Sequence, residues 1–238
     1  MYIAGISIVF LLSAILLRQN NNLRKYFDVV FAFFLAAFVS ALQQIALLLG
    51  WWSGSTMSDI AASTFFNTLL VVIPIVALTK IASGNTASIY LAKGRLWLGL
   101  AVGLAAFTLF FLTSIEGAST LFAGKDLSFE RMLPWMPWIL VFVLSNGLRE
   151  ELWCRGLFLN RFENFVGSKT ANLLQATVFS LAHIDVRYTP ELLIFLGITF
   201  FLGLAFGFLI QKTRSLLGAI LFHAGADVPV IIGIFSNL

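Results

Sequence analysis

The sequence predicts an all-α fold, a polytopic membrane bundle of about eight transmembrane helices, on three observations. Of 238 residues, 60% are hydrophobic and only 11% charged, with a mean hydropathy of +0.96, outside the range of water-soluble domains. Apolar runs matching the ~20 residues that a helix needs to cross a bilayer follow one another almost end to end. Stretches 96–115 and 192–210 are continuously apolar, unlike the ~10-residue alternating segments of a transmembrane β-barrel.

The first span is placed at 1–17; it lacks a basic leader and a small-residue cleavage site before Arg18, so it is read as a retained helix, not a signal peptide. Further spans are expected near 26–50, 60–82, 96–115, 137–159, 170–185, 191–210 and 216–236. The longest connection, 116–133, holds Lys125, Asp126, Glu130 and Arg131 and has room for a short interfacial helix. Trp135 and Trp138 then mark a membrane boundary, where amphipathic rings collect. Two regions result: 1–136 and 137–238, each with about four spans. The pairs Gly99/Gly103 and Gly203/Gly207 are expected to let helix backbones approach inside the bundle. Pro74 and Pro229 are expected to kink their helices. Gln43, Gln44 and Asn67 are expected in helix contacts, with the cavity wall as the less favoured place.

Basic residues fall mainly on alternate connections: Arg18, Arg24 and Lys25; Lys80, Lys93 and Arg95; Arg161 and Lys169; Lys212 and Arg214. By the positive-inside rule that side is cytoplasmic, which puts both termini on the other. The net charge of +4 therefore reflects topology, and no basic cluster suggests nucleic acid as a partner. The single cysteine, Cys154, forms no internal disulfide and reads as a small packing residue. Nothing in these patterns specifies an oligomeric state.

Ionisable side chains at membrane depth cost at least ~2.5–3.5 kcal/mol, so they face a protein interior or a wet cavity and mark function. This chain concentrates them in the second region: Glu150, Glu151 and Arg155 in the fifth span, His183 at the end of the sixth, and His223 and Asp227 in the eighth. On a regular helix Glu151 and Arg155, four apart, lie ~40° from each other and can pair, whereas Glu150 and Arg155 lie ~140° apart. Glu150 is thus expected to be the free carboxylate. The same spacing puts Phe179 with His183, and His223 with Asp227, on single faces, so three helices can aim Glu150, His183, His223 and Asp227 into one cavity. A carboxylate there can act as general base toward water, imidazoles can hold that water or polarise a carbonyl, and the same four residues are the candidate ligands for a divalent metal such as zinc.

Glu150-Glu151-Leu-Trp-Cys-Arg155, Phe179-Ser-Leu-Ala-His183 and His223-Ala-Gly-Ala-Asp227 resemble the EExxxR, FxxxH and HxxxN/D motifs of the CAAX proteases and bacteriocin-processing enzymes, the CPBP or Abi family. The resemblance covers roughly 137–238. It implies an eight-helix bundle with a water-accessible catalytic cavity, in which Glu150 and His183 activate water, His223 and Asp227 stabilise the oxyanion, Glu151 and Arg155 support the site, and Phe179 packs beside it. Asp227 departs from the eukaryotic type II CAAX prenyl endopeptidases, which resemble the pattern with Asn there; an ionised Asp only accepts hydrogen bonds. The family is commonly filed with the metalloproteases, yet the HExxH pattern is missing, so a metal-bound and a metal-free, glutamate-activated water both remain open.

The expected function is an intramembrane endopeptidase acting on membrane-associated peptides or proteins, embedded in lipid, with a bacterial cytoplasmic membrane as the expected location. The alternative is a non-proteolytic bacteriocin-immunity or scaffolding protein of the same fold. A transporter would need paired broken helices, of which the sequence gives no sign.

Overall fold

The computed structural model describes residues 2–51 and 54–238, so Met1 of the first expected span lies outside the described residues. Every regular element described is helical: α1 (Tyr2–Gln19), α2 (Phe27–Leu48), α3 (Met57–Ser83), α4 (Leu96–Leu112), α5 (Ser114–Leu121), α6 (Phe129–Met132), α7 (Met136–Glu151), α8 (Leu157–Leu181), α9 (Leu192–Thr213) and α10 (Leu217–Phe235). A π-helical turn, Leu152–Gly156, joins α7 to α8. Five helices, α1, α2, α3, α9 and α10, are long and apolar enough to cross a membrane, or six if the bent pair α4 and α5 is one span. The chain is a polytopic, all-helical integral membrane protein.

Local chemistry sets the helix ends. Thr56 accepts from the Asp59 amide while the Asp59 carboxylate accepts from the Thr56 amide, a capping box that starts α3; Gly84, at φ 69°, ends it in the left-handed conformation. The expected span 96–115 stops at Leu112, and the chain bends by 63° into α5. At the bend the Thr113 and Ser114 hydroxyls donate to the carbonyls of Leu109 and Phe111, offering the backbone a local alternative to straight helix.

The expected fifth and sixth spans depart more. Instead of two helices at 137–159 and 170–185, the chain stays helical from Met136 to Leu181, interrupted by the π turn and by a break at Gly167 (φ 76°, ψ 160°). Arg149, Glu150, Glu151 and Arg155 make this stretch too polar to be held by lipid alone; it is held by protein. Residues 182–185 are a turn rather than helix, so His183 projects from beyond the end of α8. Trp138 is partly exposed, but Trp135 is buried edge-on against Phe235 and serves the core rather than a headgroup boundary.

Packing interleaves the two halves of the sequence. α10 packs along α4 and α7, α3 along α7, and α8 along α9. Small residues allow the closest of these approaches: a Cβ on Gly103 would sit 2.5 Å from the Gly218 carbonyl oxygen, and one on Gly207 would overlap the Asn172 amide. Both glycine pairs thus work inside the bundle. Gln43 donates to Asn67 at 2.6 Å, fastening α2 to α3 away from the cavity.

Candidate active site

The carboxyl end of α7, the π turn, the end of α8 and the middle of α10 enclose a cavity of about 780 Å³ with largely apolar walls. Its polar lining includes Asn146, Arg149, Glu150, His183, His223 and Asp227. Four of the seven residues singled out in the sequence therefore line one cavity with Phe179, while Glu151 and Arg155 lie directly behind it. The π turn widens the helix at the EExxxR segment, a local distortion common at functional sites.

Behind the wall, Arg155 and Glu151 are fully buried and paired, Nη1 to Oε1 at 2.8 Å. The same Glu151 oxygen accepts from His223 Nδ1 at 2.7 Å. Arg155 also donates to the Gly203 carbonyl at 3.4 Å and lies 4.1 Å from the Phe179 ring centre, so its charge meets a carboxylate, a carbonyl and a π face. This explains Phe179: its ring separates the guanidinium from the cavity and stands edge-on to His183 at 4.8 Å and to His223 at 5.7 Å.

In the cavity, Glu150 is not free, contrary to the helical-spacing argument. Its neighbour Arg149 donates to Oε1 at 2.9 Å. Adjacent residues lie far apart around a helix axis, but the arginine side chain is long enough to fold back. Glu150 Oε2 is buried without a hydrogen-bond partner and faces two imidazoles, 3.7 Å from His223 Nε2 and 3.9 Å from His183 Nε2.

Each imidazole is oriented by its other nitrogen. His183 Nδ1 lies 2.7 Å from the Phe179 carbonyl, which can only accept, so Nδ1 carries a proton and a neutral His183 presents a lone pair at Nε2. His223 Nδ1 likewise meets the Glu151 carboxylate, while its Nε2 lies 3.6 Å from Asp227 Oδ1. Asp227 Oδ2 accepts from Asn146 at 2.9 Å, and Asn146 Oδ1 accepts from Arg149.

Sequence reasoning missed Asn146 and Arg149, although both lie in the expected fifth span just ahead of Glu150. Their signal was the same as for Glu150, a polar side chain inside an apolar span. It also missed Tyr188, which lines the cavity from the 182–191 connection and packs on Phe122 and Phe195. Burial, and then the negative charges of Asp227 and Glu150, hold its hydroxyl well above the ordinary tyrosine range. Cys154 lines the cavity as a free thiol.

The donor set does not fit a metal as it stands. Among the described residues no three His, Cys, Asp or Glu side chains are grouped to hold one ion. The Arg149 guanidinium already occupies one Glu150 oxygen and would oppose a dication beside the other.

Residues 132–229 match the family model described as type II CAAX prenyl endopeptidase Rce1-like. No curated protein and no solved structure gives a match. The matched stretch contains all three motifs and both imidazoles of the cavity, and that family consists of intramembrane CAAX-type proteases. Over this stretch the chain is similar to the type II CAAX prenyl endopeptidase Rce1-like family.

Proposed function

We propose that the chain is an endopeptidase that hydrolyses peptide bonds of membrane-associated peptides or proteins with a water activated by Glu150. One observation carries this reading. Glu150 Oε2 is a buried carboxylate oxygen with no hydrogen-bond partner, and it faces the Nε2 atoms of both histidines in a cavity large enough for a peptide segment. The reading requires no metal.

The residues divide the work as follows. Glu150 Oε2 takes a proton from the water, and the hydroxide oxygen bonds to the scissile carbonyl carbon. His183, held by the Phe179 carbonyl, accepts a hydrogen bond from the same water at Nε2, and Glu150 hands the proton it has taken to the leaving nitrogen as the C–N bond breaks. His223 donates from Nε2 to the oxyanion when protonated, with Glu151 at Nδ1 and Asp227 beside Nε2 setting the position of its ring. Asp227 acts here as the acceptor that orients His223, and the Asn146 amide holds it in place. Arg149 holds Glu150 Oε1 and so leaves Oε2 toward the water.

The test compares membrane and secreted peptides from cells carrying the wild-type protein, no protein, or Glu150→Gln at matched expression. Accumulation of one and the same uncut precursor in the last two supports the reading. Wild-type processing by Glu150→Gln sinks it and gives the lead to an immunity or scaffolding role.

A further inference from the structure

A second cavity, of about 410 Å³, lies at one end of the bundle, lined by Lys25, Tyr26, Asp28, Val29, Arg161, Asn164 and Phe165. It brings the turn before α2 against the first half of α8, and it is separate from the active-site cavity. Arg214, in the connection before α10, pairs with Glu163 at 3.1 Å and donates to Tyr90 at 3.3 Å. The basic connections around 19–26, 84–95 and 213–216 therefore gather at this end with the first turns of α8, where the bundle leaves the hydrocarbon layer.

Arg161 makes this cavity more than a basic surface. It is 5% exposed, and its Nη1 donates to the carbonyls of Gly156 and Leu157 at 3.3 and 2.5 Å, which brings no countercharge. Its Nε is buried without a hydrogen-bond partner, and the described residues give the guanidinium no ion pair. Asp28 is the carboxylate that acts on it, from beyond ion-pair distance, and a buried cation without a direct ion pair costs several kcal/mol unless an anion reaches it. Lys25 supplies a second, exposed cation at the mouth. Asp28 lines the cavity and offsets one of the two cations, leaving a formal charge of about +1, which matches a phosphodiester rather than a dianionic phosphate. Asp28 and the Asn164 amide are also acceptors for hydroxyls. Tyr26 and Phe165, stacked at 6.1 Å, and Val29 offer apolar surface alongside.

We propose that this cavity binds the headgroup of an anionic, hydroxyl-bearing phospholipid, with the phosphodiester between Arg161 and Lys25 and the headgroup hydroxyls on Asp28 and Asn164. The lipid would clamp the α1–α2 turn to α8 and, through the carbonyls of Gly156 and Leu157, bear on the π turn behind the active site.

The test uses the full chain in nanodiscs, following the thermal midpoint, and native mass spectrometry of the detergent-purified protein for retained lipid. Phosphatidylglycerol is expected to raise the midpoint above that in phosphatidylcholine and to be retained. Lys25→Gln, at an exposed position that leaves the core intact, is expected to cut retention about tenfold, the loss of one charge-assisted hydrogen bond. Arg161→Gln is expected to cut it further, with Arg161→Lys restoring part of it. Equal midpoints in the two lipids, or unchanged retention in Lys25→Gln, would overturn the proposal. So would protection by millimolar glycerol phosphate equal to that by phosphatidylglycerol, because the occupant would then be a soluble phosphate.

Discussion

Glu150 and Glu151 are adjacent in the chain and opposite in circumstance. Glu151 is fully enclosed, and one of its oxygens serves both Arg155 and His223. Glu150 opens to the cavity, leaning on Arg149 with one oxygen and leaving the other unpartnered toward two histidines. Each glutamate keeps one oxygen without a hydrogen-bond partner, but that of Glu151 is sealed behind the cavity wall, whereas that of Glu150 faces two imidazoles on the cavity and is available for chemistry. Geometry around the helix axis, not residue type, separates the two.

The sharpest way to break this contrast is Glu150→Gln. The amide keeps the shape but loses the base, so the rate of processing should fall by about 10²–10⁴-fold while the thermal midpoint stays near wild type. A collapsed midpoint would make Glu150 structural as well. Arg155→Met should do the reverse, leaving Glu151 as an uncompensated buried charge at a cost of ~3–5 kcal/mol, read as loss of folded protein in detergent. The pair Glu151→Gln with Arg155→Met should recover much of that stability; if it does not, the ion pair is not what the single change removes. Asn146→Ala releases Asp227 from its amide and Arg149 from its carbonyl, and should lower kcat/KM about tenfold with a stability loss of only ~1 kcal/mol.

The smallest effect concerns Tyr188. Its raised folded-state pKa means that the folded chain keeps a proton which an unfolded tyrosine loses near its ordinary value of 10.0. The contribution to stability is present below about pH 10 and declines as pH rises beyond it. Tyr188→Phe should therefore flatten the alkaline fall of the thermal midpoint between about pH 9 and 11; an unaltered slope would place the group in contact with water.

What the sequence determined by itself is what depends on composition and on spacing within one helix. Hydropathy dictated a helical membrane bundle, because lipid satisfies no backbone hydrogen bonds. The four-residue spacing of Glu151 and Arg155 produced the ion pair seen, and two histidines in apolar spans announced the cavity. Tertiary structure decided the rest. The reach of Arg149 back to Glu150, the service of Glu151 to His223 on α10, and the bridge from Asn146 to Asp227 depend on how α7 meets α10. The π turn, the bend after Leu112 and the break at Gly167 moved boundaries that hydropathy placed elsewhere, because such breaks are set by hydroxyls, glycine and neighbouring helices rather than by apolar length. Arg161 looked like one more basic residue of a connection. Only packing made it a buried cation without a direct ion pair, because burial is a property of what surrounds a side chain and not of the side chain itself.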